Sequence, residues 1–157
     1  MTVVGKFLGD ISVGGKTYCT DSIENQKGSP ILDADDVQPN RIASYARSGT
    51  AAAATCWIYT ARGAVTIKAV KAGLISVCTG NATVTVDVKK NGTTILSSTI
   101  SLSSSQSNRD EVAGTLSVTS MVAADILEVV VTVDVGTGAL GTGLFVWVDL
   151  NDEYAAS

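Results

Sequence analysis

From about residue 52 onward, short runs of β-branched and apolar residues recur at intervals of roughly ten residues. Gly, Asn, Asp and Ser separate these runs, and no long stretch carries the 3.6-residue apolar stripe of an amphipathic helix. Such spacing is typical of an antiparallel sandwich or barrel. The sequence predicts eight strands, at 55–60, 64–70, 74–79, 83–90, 93–101, 112–119, 126–135 and 144–150.

The pentapeptide VTVDV occurs twice, at 84–88 and 131–135. In each copy the valines alternate with polar residues, so one face of the strand is apolar and the other is polar. The segments around the two copies do not repeat. We therefore interpret the copies as two strands of one core rather than as a duplicated unit.

Asn91-Gly92 follows the first copy and predicts a tight hairpin, because both residues tolerate positive φ. A two-residue turn would place Val88 opposite Ile95. A three-residue bulged turn would instead shift the register by placing Leu96 opposite Val86. The sequence leaves both registers open.

Two segments are apolar on both faces. One is the strand that returns from this hairpin, and the other is LFVWVDL at 144–150. Strands of this kind must be covered on both faces. In a two-layer sandwich, only the N-terminal segment or another subunit is left to cover the second face. We therefore expect an oligomer or a docked partner.

Residues 1–51 carry no persistent period of either strand or helix. They contain Gly-Gly at 14–15, a KGSP turn at 27–30 and the acidic cluster DADD at 33–36. A short helix could begin near Ser29 with Pro30 in its first turn. The predicted organisation is an extended N-terminal arm over 1–51 and a β-sandwich domain over 52–157.

The composition excludes several functional classes. The 157 residues include no histidine, so Ser-His and Cys-His nucleophile pairs are absent. The net charge is −4 and no basic run exceeds Lys89-Lys90, which argues against nucleic acid as a partner. The sequence shows neither a signal peptide nor an apolar stretch long enough to span a membrane, and we expect synthesis in a cytoplasm without membrane association. We predict no enzymatic activity.

Three motifs approach known ligand sites without matching them. GTGALGTG at 136–143 has the glycine spacing of a dinucleotide fingerprint, but a strand follows it rather than a helix. VGGKT at 13–17 lacks the first glycine of a phosphate-binding loop, and the DADD cluster lacks the glycine and glutamate of a calcium loop. We expect no cofactor and no metal, and we interpret GTGALGTG as a loop between the last two strands.

Three aromatic residues in the strand region, Trp57, Tyr59 and Trp147, allow two interpretations. Strict alternation places Trp57 and Tyr59 on the same side of one strand, where exposed rings could form a sugar-binding platform. Packing against the arm or against another subunit explains the three residues more economically, because aromatic residues are enriched at protein interfaces.

The run KAGLISVCTGNATVTVDVKKNGTTIL at 71–96, followed by VAADILEVVVTVDVGTG at 122–138 and a final apolar strand, resembles the small jelly-roll modules of tailed-phage virion proteins. Among these modules, the pattern is most similar to capsid decoration (cement) proteins and to the domains of head and tail fibres. In those modules a short turn, usually containing glycine, precedes the long Val-rich strand, and here Ala124 stands at that position. The resemblance covers about residues 64–150 and implies no catalytic residue.

This resemblance implies a homotrimer that binds the major capsid protein and stabilises the outside of a phage head. The predicted fold is an all-β, eight-stranded antiparallel jelly-roll sandwich with an irregular N-terminal arm. The alternative is a fibre or host-surface domain that binds glycans with its aromatics and the Ser-rich loop at 103–108. The residues expected to dock on the capsid are Ile31, Leu32 and Tyr45, and those expected at the subunit interface are Trp57, Tyr59, Leu96, Phe145 and Trp147.

Overall fold

The structure is a computed structural model that describes residues 11–13, 16–18, 23–24, 30–32 and 40–152, with side chains from 40 to 151. The chain divides into two compact units, Met1–Gln38 and Pro39–Ser157. In the first unit, β1 (Ile11–Val13) pairs with β2 (Lys16–Tyr18), and β3 (Ile23–Glu24) pairs with β4 (Pro30–Leu32). Pro30 therefore begins a strand and not the expected helix. Each strand of a two-stranded pair has a free edge, where the missing N–H of proline is tolerated.

The second unit consists of two five-stranded antiparallel sheets. The β14 sheet has the order β11-β7-β14-β5, with β12 also pairing with β7, and the β13 sheet has the order β10-β8-β13-β6, with β9 also pairing with β8. The strands are β5 (Asn40–Thr50), β6 (Ala54–Thr60), β7 (Val65–Ser76), β8 (Thr83–Lys90), β9 (Thr93–Thr94), β10 (Ile100–Leu102), β11 (Glu111–Gly114), β12 (Ser120–Met121), β13 (Ile126–Asp134) and β14 (Thr142–Asp152). The described residues are all-β and contain no helix, which confirms the predicted class.

The core is built from alternating aliphatic side chains of the central strands. In β8, Val84, Val86 and Val88 are fully buried. The two VTVDV copies lie on neighbouring antiparallel strands, with Val131 opposite Val86 and Val133 opposite Val84. Val84, Val86 and Val131 are buried and Val133 is partly buried, and each fully buried side chain contributes about 1.5–3 kcal/mol.

The hairpin after β8 has the two-residue turn. Lys90 pairs with Thr93, and the Ile95 N–H donates to the Val88 carbonyl at 2.9 Å. Asn91 and Gly92 have φ of 49° and 81°, as a type I′ turn requires. Of the two registers that the sequence left open, this is the one with Val88 opposite Ile95.

The return strand is broken, which corrects the expectation that it needs a partner on its second face. Regular pairing stops at Thr94, and Leu96 then forms an isolated bridge with Leu116. Ile95 and Leu96 are 0% and 3% exposed. Both residues belong to the chain's own core cluster, which covers their side chains. Leu96 therefore offers no surface to a second subunit.

Two predicted strands, 64–70 and 74–79, are one continuous strand, β7. The sequence suggested a break because Gly73 lies between them. Gly73 instead pairs with both Glu111 and Phe145, and a Cβ at this position would overlap the Asp110 carbonyl oxygen and the Phe145 ring. Glycine is needed here for close approach, not for a turn.

Strand β5 lies in the region that was expected to be the arm. It pairs with β14 along most of its length, so the sandwich begins near residue 39 rather than at 52. Its inward positions include only Ala43 as a buried residue, and most of its other side chains are exposed. Pairing with β14, rather than a strong apolar pattern, therefore defines this strand.

The turn Val122–Asp125 joins β12 to β13 and holds a strained residue. The Asp125 N–H donates to the Val122 carbonyl at 3.1 Å, and Ala124 has φ of 72°. The Asp125 carboxylate accepts hydrogen bonds from the Val122 N–H at 2.9 Å and the Asn91 amide at 2.6 Å. These bonds, the backbone one above all, hold the pKa of Asp125 below its usual value. The turn is thereby fixed to the β8–β9 hairpin, and Ala124 keeps a left-handed conformation.

We predict that Ala124→Gly stabilises the protein, because glycine adopts this φ without a Cβ clash. The expected gain in the free energy of unfolding is about 0.5–1 kcal/mol. Ala123→Gly is the matched control in the same turn, and it should lower stability, since it only adds freedom to the unfolded chain. Urea denaturation of both variants measures this. Equal effects of the two substitutions would contradict the assignment of strain to Ala124.

Candidate functional site

The outer surface of the β14 sheet carries two aromatic side chains among several small residues. Strand β14 directs Leu144, Val146 and Val148 into the core, and it directs Phe145 and Trp147 outward. Register places Ala46 and Gly73 beside Phe145, and Ser44 beside Trp147. We call this surface the β14 face, formed by Ile42, Ser44, Ala46, Lys71, Gly73, Glu111, Ala113, Phe145, Trp147 and Asp149.

Trp147 is the centre of a hydrogen-bonded group that crosses three strands. Its indole Nε1–H donates to Glu111 Oε1 at 3.0 Å, and Lys71 Nζ donates to Glu111 Oε2 at 3.1 Å. Lys71 Nζ also lies 5.0 Å from the centre of the Trp147 ring, within range of a cation–π interaction. The hydrogen bond from Trp147, followed by that from Lys71, lowers the pKa of Glu111. The group fixes the indole and carries no net charge.

Phe145 lies over the bare backbone of Gly73, which lacks the Cβ that would displace the ring. Beside it, Ile75 and Gly143 line an open hollow of about 390 Å³ together with Ala46 and Arg47. The face is therefore low and broad, with small residues around two aromatic rings. Such relief suits contact with another protein surface rather than enclosure of a small molecule.

The predicted docking residues are separated by the structure. Tyr45 lies in β5 opposite Val146 and packs against the core, so its ring belongs to the sandwich and not to an arm. The side chains of Ile31 and Leu32 lie outside the described residues. Their role in docking stays a prediction.

A β-bulge places Trp57 and Tyr59 on opposite sides of β6, which corrects the expectation from strict alternation. Leu127 pairs with Tyr59 and Glu128 pairs with Trp57, so Ile58 is the extra residue. Tyr59 packs against the core, whereas Trp57 is 62% exposed on the outer face of the β13 sheet. No period-2 pattern could have revealed this, because the bulge shifts the alternation by one residue.

The outer face of the β13 sheet, which we call the β13 face, is polar. Its outward positions on β8 and β13 are mostly Thr, Asp, Glu and Lys, namely Thr83, Thr85, Asp87, Lys89, Glu128, Thr132 and Asp134. The two sides of the sandwich therefore differ sharply in character. Glu111, Lys71 and Ala46 were missed by sequence reasoning, because only strand register brings them next to Trp147 and Phe145.

The loop GTGALGTG joins β13 to β14, as expected, and it is anchored by its own backbone. The N–H groups of Thr137, Ala139 and Gly141 donate to Asn81 Oδ1, Thr79 Oγ1 and Cys78 Sγ. A Cβ on Gly138 would overlap the Thr79 carbonyl. These glycines serve close packing onto residues 78–81, and the N–H groups named are already bonded within the protein.

Within the part of the chain that the structure describes, no three His, Cys, Asp or Glu side chains come together as a metal site. None of the described elements is a helix that could cross a membrane. Comparisons with protein-family models, curated proteins and solved structures found no match in any of the three. The two outer faces are thus the features that bear most directly on function.

We predict that the Trp147 indole N–H resonance titrates at a pH below the usual glutamate pKa of about 4.3, because Glu111 is its acceptor. The folded pKa of Glu111 is lowered, so its contribution to stability is present above the unfolded pKa and is lost as the pH falls through the folded pKa. Proton NMR from pH 7 to about pH 2.5 measures the titration. Glu111→Gln should abolish it, and Glu128→Gln, on the other sheet, should leave it unchanged. A titration that survives in Glu111→Gln would contradict the assignment.

Proposed function

We propose that this chain is a structural virion protein with a jelly-roll sandwich, which decorates and stabilises the outside of a tailed-phage capsid as a homotrimer. The observation that carries the proposal is the β14 face, where Phe145 and Trp147 lie among small residues and Lys71 is paired with Glu111. The major capsid protein is the proposed partner of the assembled trimer.

The strand order supports a jelly roll. Within the Pro39–Ser157 unit, the first strand β5 pairs with the last strand β14, and β6 pairs with β13. Further inward, β7 pairs with β11 and β12, and β8 pairs with β9 and β10. A single long antiparallel hairpin that rolls up on itself gives this nested order. Jelly rolls of eight strands are found in viral capsid and lectin domains.

The β14 face supports burial by a second and a third copy. Two aromatic rings lie at its centre, surrounded by Ala46, Ala113 and Gly73, and aromatic residues are enriched at protein interfaces. Glu111 and Lys71 neutralise each other at its edge, so burial there leaves no net charge without a partner. The Trp147 N–H already donates to Glu111 of the same chain, so the ring can be buried at an interface without an unsatisfied donor.

Docking to the shell is assigned to the first unit, residues 1–38. It forms a compact unit of its own, distinct from the sandwich. The expected contacts of Ile31 and Leu32 fall within it, whereas Tyr45 is no longer among the docking residues. A trimer would carry three such units and so gain affinity from multivalency.

We predict that Ala46→Glu dissociates the oligomer and abolishes attachment to capsids, because it adds a carboxylate to the β14 face directly beside Phe145. Ala46 is exposed, so the core is not disturbed. Thr132→Glu adds the same charge to the β13 face and is the matched control, which should retain both properties. Light scattering reports the mass of each variant, and co-sedimentation with phage heads lacking decoration protein reports attachment.

Three results would count against the proposal. Retention of the unaltered mass by Ala46→Glu would remove the β14 face from the interface. Dissociation by Thr132→Glu alone would move the interface to the other sheet. An intact trimer that fails to sediment with heads of any tailed phage tested would separate oligomerisation from the decoration function.

A further inference from the structure

Trp57 is a large exposed aromatic residue that the fold does not account for. It is 62% exposed on the polar β13 face, away from the β14 face, while Tyr59 on the same strand packs against the core. A tryptophan ring usually stabilises a protein through the large apolar area that it buries. Trp57 buries little of that area within the fold, so contact with a ligand or partner better explains its position.

The Trp57 ring is held in a fixed orientation. Its Nε1–H donates to the Tyr59 carbonyl at 3.0 Å and to Thr60 Oγ1 at 3.1 Å, both on the same strand. The bulge at Ile58 lies directly between these groups and the ring. Because the N–H edge is tied to β6, the indole presents a rigid surface that loses little conformational freedom on binding.

Polar groups of opposite character lie beside the ring in strand register. Glu128 is directly opposite Trp57, and Lys89 is directly opposite Glu128, followed by Thr94. The row therefore offers an apolar ring, an acceptor and a cationic donor in sequence across three strands, whereas the Thr94 hydroxyl already donates to Asp87 Oδ1 at 2.6 Å. Glu128 and Lys89 cancel in charge, so the row favours neither an anion nor a cation.

We propose that Trp57, Glu128 and Lys89 form a binding subsite for a neutral saccharide, with the sugar ring stacked on the indole. A pyranose has an apolar C–H face and a rim of hydroxyl groups, which matches an aromatic platform flanked by a carboxylate and an ammonium group. A protein partner would instead have to desolvate the carboxylates and ammonium groups of the β13 face. Single-stranded nucleic acid would also stack on the ring, but it would meet a chain of net charge −4.

This subsite is independent of the proposed trimer, because its residues lie on the sheet opposite the β14 face. Failure of the saccharide proposal would leave capsid decoration untouched, and the reverse also holds. A decorated head would then carry a sugar-binding site on each copy, and weak single sites would add up through multivalency.

The test uses the full-length chain, labelled with nitrogen-15, and follows the two indole N–H resonances. The probes are hexasaccharide fragments of cellulose, amylose, chitin and β-mannan, each up to about 10 mM, with a single-stranded oligothymidylate for comparison. We expect at least one hexasaccharide to shift the Trp57 resonance in a saturable way. Trp57→Phe assigns that resonance.

The variants decide which groups bind. Trp57→Ala should weaken the dissociation constant at least about tenfold, as loss of an aromatic stacking contact does, and Glu128→Gln should weaken it to a smaller extent. Val122→Ala is the matched control at another exposed apolar side chain, 64% exposed, and should bind normally. Glu128→Gln and Trp57→Phe both keep the bulk of the fold, so the test survives if Trp57→Ala does not fold.

Four outcomes would overturn the proposal. None of the four hexasaccharides shifts the Trp57 resonance, or a saccharide binds equally well to Trp57→Ala. The oligothymidylate binds in preference to every sugar, which would make the platform a nucleic-acid contact. Finally, Trp57→Ala changes the solution mass of the protein, which would make Trp57 a subunit contact.

Discussion

Strand β14 contributes side chains to both the core and the outer surface, and the rest of the sandwich depends on this arrangement. It is paired on both sides, with β7 and β5, and its alternation sends aliphatic side chains into the core and aromatic ones outward. Leu144, Val146, Val148 and Leu150 are each at most 1% exposed, and burial of each contributes about 1.5–3 kcal/mol. The same pleat that secures this inner layer leaves no choice about where Phe145 and Trp147 lie.

The outward pair is then stabilised by the strands next to it. Gly73 on β7 leaves room for the Phe145 ring, and Glu111 on β11 accepts the hydrogen bond of Trp147. These contacts give the β14 face a defined shape before any partner arrives, and pre-organisation of this kind lowers the cost of association. On the opposite side, threonines and charged residues keep the β13 face compatible with water, apart from the ring of Trp57.

Sequence patterns predicted the parts of this structure that depend on local chemistry. The alternating valines of VTVDV, the Asn-Gly turn and the glycine-rich loop before β14 all lie in the expected kinds of element, and Ala124 adopts the left-handed conformation usually given to glycine. The features that the sequence predicted wrongly all depend on contacts between residues far apart in the chain. Gly73 lies between two predicted strands that are one strand in the structure, where Phe145 packs on it. The bulge at Ile58 separates Trp57 from Tyr59, and β5 is too weakly patterned to be recognised without its pairing to β14. Glu111 and Lys71 join Trp147 only through strand register, which the sequence does not state.

The central claim is that the β14 face is a subunit interface in a homotrimer, and the mass of the unaltered chain in solution tests it most directly. Light scattering across a wide range of protein concentrations gives that mass without labels or variants. The proposed assembly predicts a constant mass of three times 16.1 kDa. A mass of one chain at every concentration would contradict it, since Phe145 and Trp147 would then face water with no second copy to cover them.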